Sequence, residues 1–161
     1  MKVIILAAAG VLAAMPALAQ PVTTDEFVRK AAISDMFEVE SSRLALEKQP
    51  DKDTKPFARH MVKDHTKTSK ELKSLIEKKK INAQLPTAMD DEHKNQLDRL
   101  RALNGKEFDT AYDQAQLKGH QEAVALFTRY SESGDNPDLK TWAAKTLPNL
   151  KKHLDMAGKL K

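Results

Sequence analysis

The chain has 161 residues, no cysteine, only 5% aromatic residues and a net charge of +4 with acidic and basic residues interspersed. The length suits one domain with its own core. The missing cysteine excludes disulfides, thiolate metal ligands, a lipoprotein's acylated anchor and covalent c-type haem attachment, and so mild a charge argues against a dedicated nucleic-acid binder.

Met1 to Ala19 carries one positive charge at Lys2, an apolar run from Val3 through Ala14, and Ala17-Leu18-Ala19 ahead of Gln20. This is the pattern of a secretory signal peptide with cleavage after Ala19. The apolar run is shorter than the about 20 residues that span a bilayer. The processed chain, residues 20–161, is therefore expected to be a single soluble domain of a bacterial periplasm without a transmembrane segment.

Thr23 and Glu26 form a capping-box pattern that opens a first helix running to about Lys48. Its inward positions read Phe27, Ala31, Ser34, Glu38, Ser41 or Ser42, and Ala45, at the three- and four-residue steps of a bundle seam. Pro50 stops it, and a second helix is predicted from near Asp53 to about Lys80, with Pro56 tolerated in its first turn. Its seam is Phe57, Met61, Asp64 with His65, Thr68, Leu72 and Leu75.

A connector through Pro86 leads to a shorter amphipathic helix, Asp90 to Leu103, stopped by Asn104-Gly105. The third long helix starts near Lys106 and turns Phe108, Tyr112, Ala115, Gly119 with His120, Ala123 and Phe127 inward. After the Gly134 turn, Asn136 and Pro137 are set as cap and first residue of a fourth long helix. Its seam is Leu139, Ala143, Thr146, Leu150, His153, Ala157 and Leu160, and Pro148 is expected to kink it. Two tight connections and one long one describe an all-α, ferritin-like four-helix bundle, with the extra short helix on the crossover between the second and third long helices.

Four of these helices place a metal-capable side chain on the inward stripe: Glu38, Asp64 with His65, His120 and His153. Charged and imidazole groups are seldom buried in a small core without a partner. His60 and His93 instead fall among charged neighbours and read as surface residues. Counted from the nearest turn, Glu38 and His65 lie at comparable heights, whereas His120 and His153 stand about 13 and about 17 residues away, a mismatch of about one helical turn.

Three imidazoles with one or two carboxylates suit a single first-row transition metal, zinc first, then copper, nickel or iron. A di-iron ferritin site needs two Glu-x-x-His pairs, and none occurs. Haem between His120 or His153 and Met36 or Met61 is not expected, because few aromatics are present to line its pocket. The alternative to a metal is a hydrogen-bonded network of the same groups that sets helix register. No nucleophile motif or phosphate loop is present, so an ordinary hydrolase or dehydrogenase is not expected. Lys78-Lys79-Lys80 and Lys151-Lys152 read as solvated helix surfaces, leaving at most a weak association with the envelope surface.

Several runs resemble an exported bacterial family, number 4142 in the domain-of-unknown-function series. They are Glu38-Val39-Glu40, Phe57-Ala58-Arg59, Met61 through Lys67, His120 through Val124, and Thr146-Leu147-Pro148 with His153-Leu154. The resemblance spans essentially the processed chain. It implies a ferritin-like bundle with Glu38, Asp64, His65, His120 and His153 as characteristic polar positions, and it supplies no activity. Members are often labelled outer membrane proteins, which fits poorly with a chain lacking both a β-barrel pattern and a lipidation cysteine. The expected role is metal buffering, sensing or envelope stress, against a metal-free interaction protein.

Overall fold

The computed structural model describes residues 21–48 and 50–160, so the expected signal peptide lies outside the described residues. Five helices follow in chain order: α1 (Thr24–Glu47), α2 (Thr54–Lys79), α3 (Asp91–Ala102), α4 (Gly105–Ser133) and α5 (Pro137–Ala157). Among the described residues no strand occurs and no helix is long and apolar enough to cross a membrane.

Local chemistry sets the boundaries. Thr23 accepts the Glu26 N–H at 3.3 Å, Asp90 that of His93 at 3.1 Å and Asn136 that of Leu139 at 3.0 Å, each satisfying a donor the helix itself leaves free. Lys80 ends α2 in the left-handed region at φ 50°, and the Ile81 N–H reaches back to the Ile76 carbonyl at 3.1 Å. Pro148 stands inside α5 on its exposed side, and the helix continues through it.

The topology follows from contacts at the two ends. Thr24 at the start of α1 meets Tyr130 near the end of α4 at 2.8 Å, and Ser42 near the end of α1 meets Tyr112 near the start of α4 at 2.7 Å. These two helices are therefore antiparallel. Lys79 at the end of α2 pairs with Asp138 at the start of α5 at 3.2 Å, so that pair is antiparallel too. Since α1 and α2 are joined by a short turn, α2 and α4 point the same way, and the chain must travel back along the bundle between them. This is the long crossover of a ferritin-like bundle. The helix α3 lies on it against α1, where His93 meets the Phe37 ring edge-on at 5.6 Å and Lys48 donates to the carbonyls of Arg101 and Leu103, both at 2.8 Å.

The core is apolar at both ends and polar between them. One end packs Phe27, Leu72, Phe127, Tyr130, Leu139 and Trp142, with the Phe27 and Tyr130 rings stacked at 3.9 Å. The other packs Phe37, Phe57, Met61, Leu97, Phe108 and Tyr112. The long helices cross from one cluster to the other at buried polar residues: Asp35 on α1, followed three residues on by Glu38, His65 on α2, His120 on α4 and His153 on α5. The expected seams hold, with local shifts: Ile76 is buried where Leu75 is half-buried, and Asp35 is buried where Ser34 is half-buried.

Two stability predictions follow. Phe27→Ala, which removes a fully buried ring, should lower unfolding free energy by about 3–5 kcal/mol in urea titration without changing the denaturant slope. Lys80→Gly, relieving a left-handed lysine on the surface, should raise it by about 1 kcal/mol.

Candidate metal centre

Four helices contribute to the polar layer, and three of them bring an imidazole to one point. The rings of His65, His120 and His153 form a near-equilateral triangle, with centroids 5.5, 5.3 and 5.4 Å apart. Their ligand-capable nitrogens lie within 4.8 Å of one another, and all three residues are buried. The one-turn offset between His120 and His153 closes because every helical side chain leans toward its own N-terminus. On antiparallel α4 and α5 those leans are opposed, which brings two positions about 6 Å apart in height to the same level.

Each ring is held by one nitrogen and leaves the other without a partner. His65 Nδ1 donates to Asp35 Oδ1 at 2.7 Å, and Ser69 donates to the second Asp35 oxygen at 3.1 Å. His120 Nδ1 donates to the Gln116 carbonyl one turn earlier at 2.8 Å. His153 Nε2 donates to Asp64 Oδ2 at 3.0 Å, an oxygen that also accepts from Asn149 at 3.0 Å. Because carboxylate and carbonyl oxygens only accept, these bonds place the proton of each neutral ring on the anchored nitrogen and leave its lone pair on the other, which for His65 requires the loss of its second proton. The remaining nitrogens, His65 Nε2, His120 Nε2 and His153 Nδ1, are buried and unbonded.

The other expected residues sit around this triangle. Glu38 is buried in the same layer, yet its Oε1 lies 3.9 Å from the anchored nitrogen of His120 and it is not part of the convergent group. Gly119 makes room for that carboxylate, since a Cβ there would stand 3.1 Å from Oε1. Asp64 lies at the edge of the layer, where it orients His153. Asp35 was not anticipated from the sequence. Its signal was the three-residue spacing to Glu38, which puts both carboxylates on neighbouring parts of one helix surface.

His60 corrects a sequence expectation. Rather than standing at the surface, it is half-buried, with Nε2 3.2 Å from Asp64 Oδ2 and its ring 5.3 Å from that of His153. The reason is the four-residue spacing to Asp64, which stacks the two on the side of α2 that meets α5. His93 is also half-buried, but it lies away from this layer and bonds Asp90 at 2.6 Å at the start of α3.

Electrostatics reflect the burial. Desolvation, and then the charge of His65, push His120 down to about 3 and His153 down to about 4, so both rings are neutral at pH 7. Burial opposes a charged His65, but its hydrogen bond to Asp35 and the charges of Asp35, Glu38 and Asp64 together outweigh that and hold it above its ordinary value. Burial likewise works against the Asp64 carboxylate, which hydrogen bonds from Asn149 and His153 keep below its usual range. Desolvation lifts Glu38 from 4.5 to about 7.

Fold and site together define a ferritin-like helical bundle with a histidine-lined polar core. The chain belongs to the family described as Domain of unknown function (DUF4142), whose profile matches residues 8–160. Among solved structures it is similar to "CopM in the Cu(II)-bound form", with 18% identity and a TM-score of 0.69 over 85% of this chain and 94% of that one. It is also similar to "CopM in the Cu(I)-bound form", with 17% identity and a TM-score of 0.68 over the same shares. None of the curated proteins matches the sequence.

The raised Glu38 carboxyl gives a signed pH prediction for the metal-free protein. Its contribution is fully present below the unfolded value of 4.5 and is lost as pH rises through about 7. Glu38→Gln should therefore match the wild type at pH 4.5 and exceed it by about 3 kcal/mol at pH 8 in urea titrations with chelator, at about 1.4 kcal/mol per pH unit. A constant difference between the two pH values would refute the assignment.

Proposed function

We propose that this protein holds one copper ion at His65, His120 and His153 and serves as a metal buffer in the bacterial envelope. The observation that carries the reading is the set of three buried, unbonded imidazole nitrogens supplied by three helices to one point. A hydrogen-bonded network alone accounts for one nitrogen of each ring and leaves three desolvated lone pairs, each of which carries a cost of about 1–3 kcal/mol. A cation uses all three. Copper bound there would be held by neutral nitrogen donors out of contact with water.

The surrounding residues have distinct parts. Asp35, the Gln116 carbonyl and Asp64 set the ring orientations and the free lone pairs, as second partners of metal-binding histidines do. Glu38 contributes a carboxyl in the same layer that can balance a cation's charge without being a ligand. Sequence reasoning ranked zinc first. Copper is preferred here because the similar solved structures hold copper and because nitrogen sites bind copper(II) more tightly than zinc. The signal-peptide pattern at residues 1–19 supports an envelope location.

The test is metal content. Protein purified from its native compartment without a histidine tag should carry about one equivalent of copper by mass spectrometry, removable by chelator. Free copper at 100 times Kd should stabilise the apo form by about 2.7 kcal/mol. His65→Asn and His120→Asn should each lose the tight site. Absence of metal with no uptake on titration, or full affinity in both variants, would overturn the proposal.

A further inference from the structure

His60 has no part in the triad, yet its placement is unusual for a surface histidine. About a third of the side chain is exposed, at 32%, while its Nε2 is buried and points inward without a hydrogen bond. That nitrogen faces Asp64 Oδ2, and the same oxygen holds His153 Nε2. Ligand-capable atoms of His60, Asp64 and His153 lie within 4.8 Å of one another, a second convergent group that shares one ring with the first. Exposure falls in order along it, from 32% at His60 through 18% at Asp64 to 1% at His153, directly beside the fully buried triad.

We propose that His60, Asp64 and His153 form a loading site for a divalent cation, nearer the surface than the triad, and that His153 passes the cation between this site and the buried triad. Two imidazole nitrogens and one carboxylate oxygen are a donor set for first-row divalent metals. The shared ring makes the two sites alternatives. A neutral imidazole has one lone pair. In the metal-free protein that pair is on Nδ1, facing the triad, and the proton is on Nε2, facing Asp64.

A cation on the outer side needs the lone pair on Nε2. The Nε2 proton then leaves to solvent past Asp64, and one proton is taken up at Nδ1. Nδ1 is buried with no acceptor, so this tautomer is disfavoured and the outer state is short-lived. Transfer inward releases the Nδ1 proton and returns one to Nε2 with its bond to Asp64, so no net proton change results. One ion is bound in total, and the outer group governs how fast it arrives and leaves.

This inference rests on the triad as the resting site, and its test separates the two. Copper(II) uptake by the apo protein, and its removal by chelator, are followed in a stopped-flow instrument through emission of the single tryptophan, Trp142. In His60→Asn both rates should fall by about tenfold, while stoichiometry stays at one and Kd is unchanged, because a loading site alters path and not end point. In a His65→Asn, His120→Asn double variant, one weaker copper site should remain, and adding His60→Asn should abolish it. Wild-type rates in His60→Asn would overturn the loading site and leave the triad standing, and loss of all binding in the double variant would do the same. A wild type that takes up no copper would overturn both. Should the double variant fail to fold, the His60→Asn rates decide alone, since that change is at a half-exposed position.

Discussion

The centre of this bundle depends on three hydrogen bonds that each hold one nitrogen of a buried histidine. His65 is tied to Asp35, His120 to a carbonyl of its own helix, and His153 to Asp64. Removing an imidazole from water is unfavourable, and one hydrogen bond offsets only half of its polar capacity. The three anchors choose which half is satisfied. They therefore determine the tautomers, the ring orientations and the direction of three lone pairs at once. Without them the same residues would be interchangeable polar groups in a core.

The rest of the molecule keeps that layer in place. Aromatic and aliphatic residues close the bundle above and below, so the layer is desolvated from both ends. Tyrosines mark the two ends as well: Tyr130 bonds Thr24 and Tyr112 bonds Ser42, each fixing α4 against α1 on one side of the polar residues. The long crossover makes α2 and α4 parallel and so lets His65 and His120 approach from helices that share no turn. A simple up-down chain would put different faces of these helices together.

Much of the architecture was legible in the sequence. Two helix starts were visible because capping is local: Thr23 and Asn136 act within three residues of their own positions. Inward positions were visible because period is local as well, and Glu38, His65, His120 and His153 are all buried as their spacing requires. The site was legible only in part. His60 was misplaced because its charged neighbours on α2 describe its own helix and say nothing of α5. Asp35 was missed because an aspartate beside the seam is ordinarily solvated, and only the packing of α2 against α1 brings His65 to it.

By itself, then, the sequence determined which residues are helical, where each helix begins and which stripe turns inward, since all of these depend on interactions within a few residues along the chain. Which nitrogen of each ring is bonded, which carboxylate serves as anchor and which stands apart, and which rings share a centre were decided only by the tertiary structure. Those outcomes depend on distances between side chains as many as 89 positions apart, as in His153 and Asp64. A shift of one helix by a fraction of a turn would exchange the partners while leaving every local pattern intact.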